Sequence, residues 1–404
     1  MATTTHPYRL GIICCLPAAY DAQGRLVCNH SIGRLLDVMR AMVPGARLCI
    51  PILTEPQSQM NHVLAFAPDE VTALPPLKSV ARSQAYFFQT RRILRQFART
   101  VDVLFVRLPF QIPLAVAGLG KPKLMHVVGN THKVIAASSD YKGVVKKLAL
   151  RFAAHSNATI RRMAHEPMTR VATNGCEMWD FLGCRDGRVV VSSCIYRQEM
   201  RPRQNLSLGD PPRLLFVGYL RPEKGIHTLL DAYEKLRATR PLKLTLVGGT
   251  DKATNAEAMA HDRIRNSPYR DDITLTGLIE FGEPLFELYR NHDVFVLPSL
   301  SEGTPRTLVE ARAFGCPVVA TRVGGIPSSV EDGVNGLLVE PNDSAGLAAA
   351  IERVLTDEPL RQRLMAAGLA GSNEQSLEYF TGQLVEELDL LAAQYVHPAV
   401  AHAS

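Results

Sequence analysis

The sequence predicts an α/β protein made of two doubly wound domains of similar size. Three observations carry that expectation. Short apolar runs alternate with longer helical patterns along the chain, as when strands are joined by crossover helices. The runs are apolar throughout, which suits strands covered on both faces. A polar, proline-bearing break without periodicity, YRQEMRPRQNLSLGDPP at 196–212, divides the series in two.

The elements follow in order. In the first half, strands are expected at Leu10–Leu16, Arg47–Leu53, Val101–Val106, Lys123–Val128 and Val189–Val191, with helices at Ser31–Met42, Val80–Arg99 and Tyr141–Ala164. After the break come strand Arg213–Val217, helix Gly225–Arg237, strand Lys243–Val247, a variable segment Thr250–Ser267, strand Ile273–Leu275 and helix Gly282–Arg290. Strand Val294–Leu297, helix Arg306–Phe314, strand Pro317–Ala320 and helix Ala345–Leu355 complete the second series. A last helix, Gln375–Tyr395, carries Leu377, Phe380, Leu384, Leu388 and Leu391 at spacings of three and four. The expected domains are therefore 1–200, 209–372, and a C-terminal helix within 373–396 that packs back on the first domain.

Composition narrows the function classes. The 404 residues are 46% hydrophobic and 21% charged, enough for a sizeable core and unlike disordered or fibrous chains. No apolar stretch approaches the roughly eighteen residues of a spanning helix, and MATTTHPYRLGIICCLP does not read as a secretory signal. The eight cysteines include no Cys-x-x-Cys pair, so a zinc ribbon is not expected and buried thiols in a reducing cytosol are. Charge is uneven: residues 1–200 hold 25 Lys+Arg against 12 Asp+Glu, while the rest hold 20 against 27. That asymmetry points to an anionic surface facing the first half. No aromatic-rich motif accompanies it, so nucleic acid is not the expected partner.

Three segments carry chemistry. In VFVLPSLSEGTPRTLVEARAFGCPVVA, 294–320, a strand ends at Pro298, a loop follows, and a helix starts that Gly315 caps. Ligands of open α/β sheets sit beyond the carboxyl ends of strands, and a helix N-terminus there suits a phosphate. Gly303 permits close backbone approach and Pro305 pre-sets the turn. Glu302 and Glu310 frame the turn; a carboxylate accepts hydrogen bonds from neighbouring sugar hydroxyls, so Glu310 suits a ribose and Glu302 a donor sugar. Taken alone, Glu302 equally suits the helix dipole and Glu310 the surface. In LLFVGYLRPEKGI, 214–226, Arg221 and Lys224 bring charge to a strand-to-helix turn where a diphosphate could rest; a solvated basic turn is the alternative. In TRVGGIPSSVEDGVNGLL, Gly324 and Gly325 make another close-approach turn.

The ordered set G-x-L-x-P-E-K-G, L-x-L-V-G-G, the Glu-x7-Glu element with ARAFGCPVVATRVGGIP, and DGVNGLLVEPND resembles glycosyltransferase family 4 over most of 213–357. The resemblance implies a GT-B fold, two Rossmann-like domains facing a central cleft. It also implies a nucleoside diphosphate-sugar held mainly by the second domain, an acceptor chosen by the first, and retaining transfer without a metal or other cofactor. The family lysine falls on Lys224 and its glutamates on Glu302 and Glu310. The amides of Gly303 and Thr304 match those that meet the donor, and Gly218, Arg221, Pro305 and Leu308 complete the implied donor-binding set. Where the family carries an arginine this chain has Tyr219, and Arg221 is the expected substitute. Many relatives have Phe-Gly where Thr304-Pro305 stands, so donor-sugar selectivity is not carried over; Arg306 is an uncommon charge there.

In the first half, PAAYDAQGRLVCNHSIGRLL offers Gly24 as the phosphate- or acceptor-facing glycine of the loop after the first strand; a plain turn is the alternative. The segment KLMHVVGNTHK places His126 and Gly129 near a strand end, and the resemblance implies a donor-contacting histidine there, His126 or His132. Val145, Leu148, Phe152 and Ala153 form a stripe flanked by Lys142, Lys146, Lys147, Arg151, Arg161 and Arg162, while Val80–Arg99 adds Arg91, Arg92, Arg95 and Arg99. Such basic amphipathic helices suit an anionic membrane surface; for either helix alone, packing by the apolar face with the basic residues solvated is the alternative, and the two together with the basic first half point to the membrane.

The expectation is thus a metal-independent retaining hexosyltransferase, cytoplasmic and peripheral on the inner face of the membrane. It would use a saccharide or lipid-linked acceptor of exopolysaccharide or cell-envelope synthesis. A nucleotide-sugar epimerase, a sugar phosphorylase and a nucleotide-binding scaffold are the alternatives.

Overall fold

A computed structural model describes residues 6–76, 83–109, 113–137, 143–205, 207–249 and 255–396. The chain forms two compact units, Met1–Val190 with Leu377–Ser404, and Val191–Ser376.

The first unit runs β1 (Leu10–Ile13), β2 (Ala18–Tyr20), β3 (Leu26–Cys28), α1 (His30–Met42), β4 (Arg47–Leu53), β5 (His62–Val63), β6 (Val71–Leu74), α2 (Ser83–Ala98) and β7 (Val103–Leu108). It continues through β8 (Lys123–Val127), α3 (Thr131–Ala137), α4 (Gly143–Ala164), β9 (Thr169–Asn174), α5 (Cys176–Leu182) and β10 (Gly187–Val190). Strands β6-β4-β1-β7-β8-β9-β10 are parallel neighbours. The wholly apolar β1 and the central β7, apolar but for Arg107, lie buried, as their hydrophobic runs require. Free thiols of Cys14, Cys28 and Cys49 pack in this interior, and burial pushes the Cys14 thiol up to about 12. The start of the expected helix at Val80 and that at Tyr141 lie outside the described residues, as does the opening of 250–267.

The second unit runs β11 (Arg213–Val217), α6 (Ile226–Arg237), β12 (Lys243–Val247), α7 (Asn255–Arg265), β13 (Ile273–Gly277), α8 (Glu283–Asn291) and β14 (Val294–Leu297). Then come α9 (Arg306–Ala313), β15 (Val318–Thr321), β16 (Leu337–Val339), α10 (Ser344–Thr356) and α11 (Glu358–Ala370). Its sheet has the order β13-β12-β11-β14-β15-β16, all parallel. In sheet numbering this is 3-2-1-4-5-6, the doubly wound order whose direction reverses between the first and fourth strands. Leu214, Leu215, Phe216, Val294, Phe295 and Val296 fill its centre without exposure. Phe286 stacks on Phe314 at 4.5 Å between ring centres. Helices α10 and α11 begin where Asp343 and Asp357 accept from the Gly346 and Leu360 amides, each cap contributing about 1 kcal/mol.

The expected linker at 196–212 is not a free connector. Its Arg203 amide donates to Phe314 O at 3.0 Å, its guanidinium donates to His292 O at 2.8 Å, and the Gly209 and Arg213 amides donate to the Asp293 carboxylate. The segment is thereby built into the second unit, and the boundary falls at Val191 rather than near residue 200.

Helix α12 (Leu377–Tyr395) closes the chain on the first unit. It packs against α1 and against β7, β8 and β9, burying Leu377, Phe380, Leu384, Leu388 and Leu391. Glu387, buried on the same helix, accepts from Arg170 at 2.5 Å and from Arg188 at 2.8 Å.

Candidate donor site

Three loops of the second unit meet at the carboxyl ends of β11, β14 and β15, around the point where the strand order reverses. Open α/β sheets bind ligands at that position. The loop after β11 begins at Gly218, whose amide donates to Val247 O at 2.9 Å. Gly248 packs on it so closely that a Cβ there would stand 1.8 Å from Gly218 O. The chain turns through Pro222–Lys224 into Gly225, whose φ of +64° is left-handed and whose Cβ position lies 2.1 Å from Pro298 O. Only glycine lets this turn sit against the end of β14. Leu300 N then donates to Glu223 O at 2.7 Å and stitches the two loops together.

The charged centre follows from this stitching. Lys224 Nζ lies 2.5 Å from Glu302 Oε1, and Ser299 Oγ donates to the same oxygen at 2.7 Å. The Glu302 side chain is 8% exposed and that of Lys224 21%. Gly325 N donates to Gly303 O at 2.8 Å, tying in the third loop. Thr304 is buried, and its Oγ1 has no hydrogen-bond partner among the described residues. Pro305 is the N-cap residue of α9, with extended backbone and no side-chain cap; Leu308 N donates to Pro305 O at 3.3 Å, and the Arg306 and Thr307 amides before it are those that a helix start offers to an outside acceptor. On the other side of the turn the Arg221 guanidinium lies over the Tyr219 ring at 4.9 Å, with Glu223 3.9 Å away.

The structure brings Gly218, Arg221, Lys224, Glu302, Gly303, Thr304 and Pro305 into one region, gives a packing role to Gly225 and Gly248, which the motifs G-x-L-x-P-E-K-G and L-x-L-V-G-G contain, and adds Ser299, which motif reading did not single out. The Gly-Gly pair after β12 was the available signal for Gly248; Ser299 carried none. Glu310 departs from the expectation. It faces the interior of the unit at 4% exposure, where Oε2 accepts from Tyr289 Oη at 2.8 Å and Oε1 takes a contact of 3.5 Å from Cys194 Sγ. Burial raises its carboxyl above the ordinary carboxylate value, with Arg306, Tyr289 and Cys194 opposing that rise. Eight residues along the chain separate it from Glu302, but helical geometry turns it inward. Leu308 is likewise fully buried and acts by packing.

Two expectations in the first unit are corrected. His126, 1% exposed, lies in the core between Phe105 and Phe380 with Nε2 3.1 Å from Asn174 Oδ1. Helix α12 covers it, so it offers no atom to a ligand. Burial, with Arg107 nearby, lowers its pKa to about 3 against the pull of the Asn174 hydrogen bond. Gly24 does not border β1. It is the left-handed residue of the β2–β3 hairpin turn, φ +73°, donating to Asp21 O at 3.0 Å while the Asp21 carboxylate collects the Gln23 and Arg25 amides. His132 opens α3, its amide donating to Asn130 Oδ1.

Comparison with known proteins agrees with this geometry. Residues 197–369 match the family described as glycosyl transferases group 1. The chain is 34% identical over 178 residues to a D-inositol 3-phosphate glycosyltransferase of Stackebrandtia nassauensis, covering 42% of this chain and 40% of that one. It is 31% identical over 256 residues to the protein so named in Thermomonospora curvata, covering 55% and 58%. The chain thus spans about half the length of the curated relatives it matches. Among solved structures it is similar to a sucrose-phosphate synthase of Thermosynechococcus elongatus, TM-score 0.69 at 19% identity over 95% of this chain and 99% of that one. It is also similar to Anabaena HepE in complex with UDP, TM-score 0.67 at 16% identity over 95% and 100%.

Proposed function

We propose, from the match of residues 197–369 to the family described as glycosyl transferases group 1 and the GT-B fold of the two units, that the protein moves a hexose from a nucleoside diphosphate-sugar to an acceptor hydroxyl, with retention and without a metal. The observation that carries the reading is the Lys224–Glu302 pair at the strand-order reversal, beside the open amides of α9.

Breaking the sugar–phosphate bond develops positive charge at the anomeric carbon and negative charge on the departing diphosphate. The Lys224 ammonium and the N-terminal amides of α9 lie where they can stabilise the diphosphate charge, a fixed electrostatic contribution made without reorganisation. Glu302, held by Ser299 and Lys224, keeps the ammonium oriented and offers its second oxygen to a sugar hydroxyl. Arg221, spread over Tyr219, serves the phosphates where the family arginine is missing. The departing phosphate takes the acceptor proton on the face it leaves, so the reading needs no protein nucleophile. The acceptor is read as a saccharide or lipid-linked saccharide of exopolysaccharide or cell-envelope synthesis on the cytoplasmic side. Among the described residues no helix is long and apolar enough to cross a membrane.

HepE was solved with UDP and with UDP-glucose, so UDP-sugars are the first donors to test, with D-inositol 3-phosphate as one acceptor arm because relatives bear that name. Thermal shift with nucleoside diphosphates and their sugars should raise apparent stability by about 2.7 kcal/mol at a hundred times Kd. Lys224→Ala should lower turnover roughly 100- to 1,000-fold, the usual scale for one transition-state charge partner. A native chain that no nucleotide stabilises, or a Lys224→Ala protein that turns over normally, removes the proposal.

A further inference from the structure

The N-terminal turns of α4 carry an apolar stripe that the first unit does not cover. Val144, Val145, Leu148 and Phe152 are 53–71% exposed. The residues that α4 buries, Ala153, Ser156, Asn157, Thr159, Ile160 and Met163, all lie in its C-terminal half. At about 100° per residue the exposed four fall within one stripe roughly 100° wide. Lys147 and Arg151 border one side of it and Lys146 the other, and α4 holds no acidic residue. On α2, which shares the core with α4 through Leu94, Phe97, Ile160 and Met163, Phe88 is exposed and a cleft of Arg91, Arg92, Arg95 and Arg99 lies beside it. Between residues 71 and 165 the sequence has sixteen Lys and Arg and two Asp.

We infer that the first three turns of α4 dock on an anionic lipid surface, with Val144, Val145, Leu148 and Phe152 entering the headgroup boundary and Lys147 and Arg151 meeting lipid phosphates. Charge selects the occupant. An apolar stripe bordered only by cations repels a second copy of itself and matches a sheet of anionic headgroups. Interfacial helices of this build bury their apolar face about 5–10 Å deep and gain from each nearby cation. The inference does not use the transfer chemistry, so the two stand or fall separately.

The test is flotation of the full chain with phosphatidylcholine vesicles, with and without phosphatidylglycerol. The native chain should float with the anionic vesicles alone. It should release as salt shortens the screening length from about 10 Å at 0.1 M to about 3 Å at 1 M. Lys147→Glu with Arg151→Glu should lower the vesicle partition roughly 600-fold, since each cation near the surface is worth about fivefold and each reversal counts twice. Leu148→Asp with Phe152→Asp should abolish flotation while lowering the melting temperature by only a few degrees and leaving the nucleotide-induced shift unchanged, because both side chains are more than half exposed. Equal flotation with neutral vesicles, no flotation, or variants that float like the native chain each overturn the inference. So does a native dimer that Leu148→Asp with Phe152→Asp dissociates, which assigns the stripe to a second copy. Loss of the nucleotide shift in a native chain that still floats counts against the transfer reading alone.

Discussion

Replacing Gly325 by alanine should damage the donor site without touching a charged group. The φ of Gly325 is −87°, a value alanine adopts freely, so any cost is purely one of space. The added methyl would lie 2.5 Å from Gly303 O and 2.6 Å from Thr304 Oγ1. Neither neighbour is the end of a flexible chain: one is backbone and the other is on a buried threonine. The loop carrying Gly303 must therefore withdraw, and the 2.8 Å bond from Gly325 N to Gly303 O lengthens. Overpacking of this kind costs about 1–3 kcal/mol, and a weakened buried hydrogen bond adds about 1 kcal/mol. For a unit of this size each kcal/mol lowers Tm by about 2–4 °C, so a fall of roughly 4–16 °C is expected. A withdrawn loop also moves the Gly303 and Thr304 amides from their places, so nucleotide affinity should fall about tenfold for a displacement near 1 Å. Calorimetry of the whole chain gives the first quantity and isothermal titration with UDP the second. Gly24→Ala is the control: its φ of +73° is unfavourable for alanine but no atom lies within 4 Å. It should cost only about 1–2 kcal/mol and leave nucleotide binding intact. A Gly325→Ala protein that melts and binds like the native one refutes the claim that these loops are locked by glycine contact.

Two further outcomes concern the first unit. Glu387→Ala removes the buried acceptor shared by Arg170 and Arg188 and should destabilise that unit by roughly 2–4 kcal/mol, since both guanidinium groups keep some access to water; a urea midpoint equal to the native one would show that apolar packing alone holds α12. His126 has a folded pKa near 3, below the ordinary 6.5, so the unfolded chain binds its proton first as pH drops. Stability should be intact above pH 6.5 and decline as pH falls toward 3. His126→Gln should flatten that decline in urea melts between pH 7.5 and 4.5, and a variant that keeps the native slope, or that loses turnover at native stability, contradicts a structural role.

The second unit was legible because its strands are continuous apolar runs ended by turn residues. Arg213–Val217, Lys243–Val247 and Val294–Leu297 lie where they were expected. The first unit was less so. Strands β2, β3, β5 and β6 have two to four residues each, too few to show a period, and their pairing comes from long-range contacts such as Val27 with Val63. Strand β9, TRVATN, is two-thirds polar yet largely buried, because a sheet interior accepts threonine and asparagine that find partners; Thr173 Oγ1 donates to Gly175 O. Helix α11, opened by Asp357 and Pro359, had the capping signal but a weak apolar face. At the site, motif order identified the loops while side-chain direction stayed hidden. Glu310, Leu308 and His126 sit at expected positions in the chain and point into cores.

That division has one cause. Lys224 and Glu302 are 78 residues apart, and nothing local joins them. They meet because the order β13-β12-β11-β14 places the fourth strand beside the first, so two strand-to-helix turns far apart in sequence share one sheet edge. Each turn is punctuated by glycine, proline and charge, which sequence displays openly. The same reversal occurs in the first unit between β1 and β7, but there the chain leaving β1 spends its next residues on the β2–β3 hairpin instead of a tight glycine turn. A site in that unit therefore has no short motif to announce it, and the loop glycine that sequence offered, Gly24, belongs to the hairpin. Charge patterning reaches where motifs do not: the long stretch almost without acids marked the face of α2 and α4 before any contact was known. Binding chemistry written in backbone turns was read through motif order, whereas the basic surface was read through helical spacing as Val145, Leu148, Phe152 and Ala153; exposure keeps the first three, adds Val144 and places Ala153 in the core.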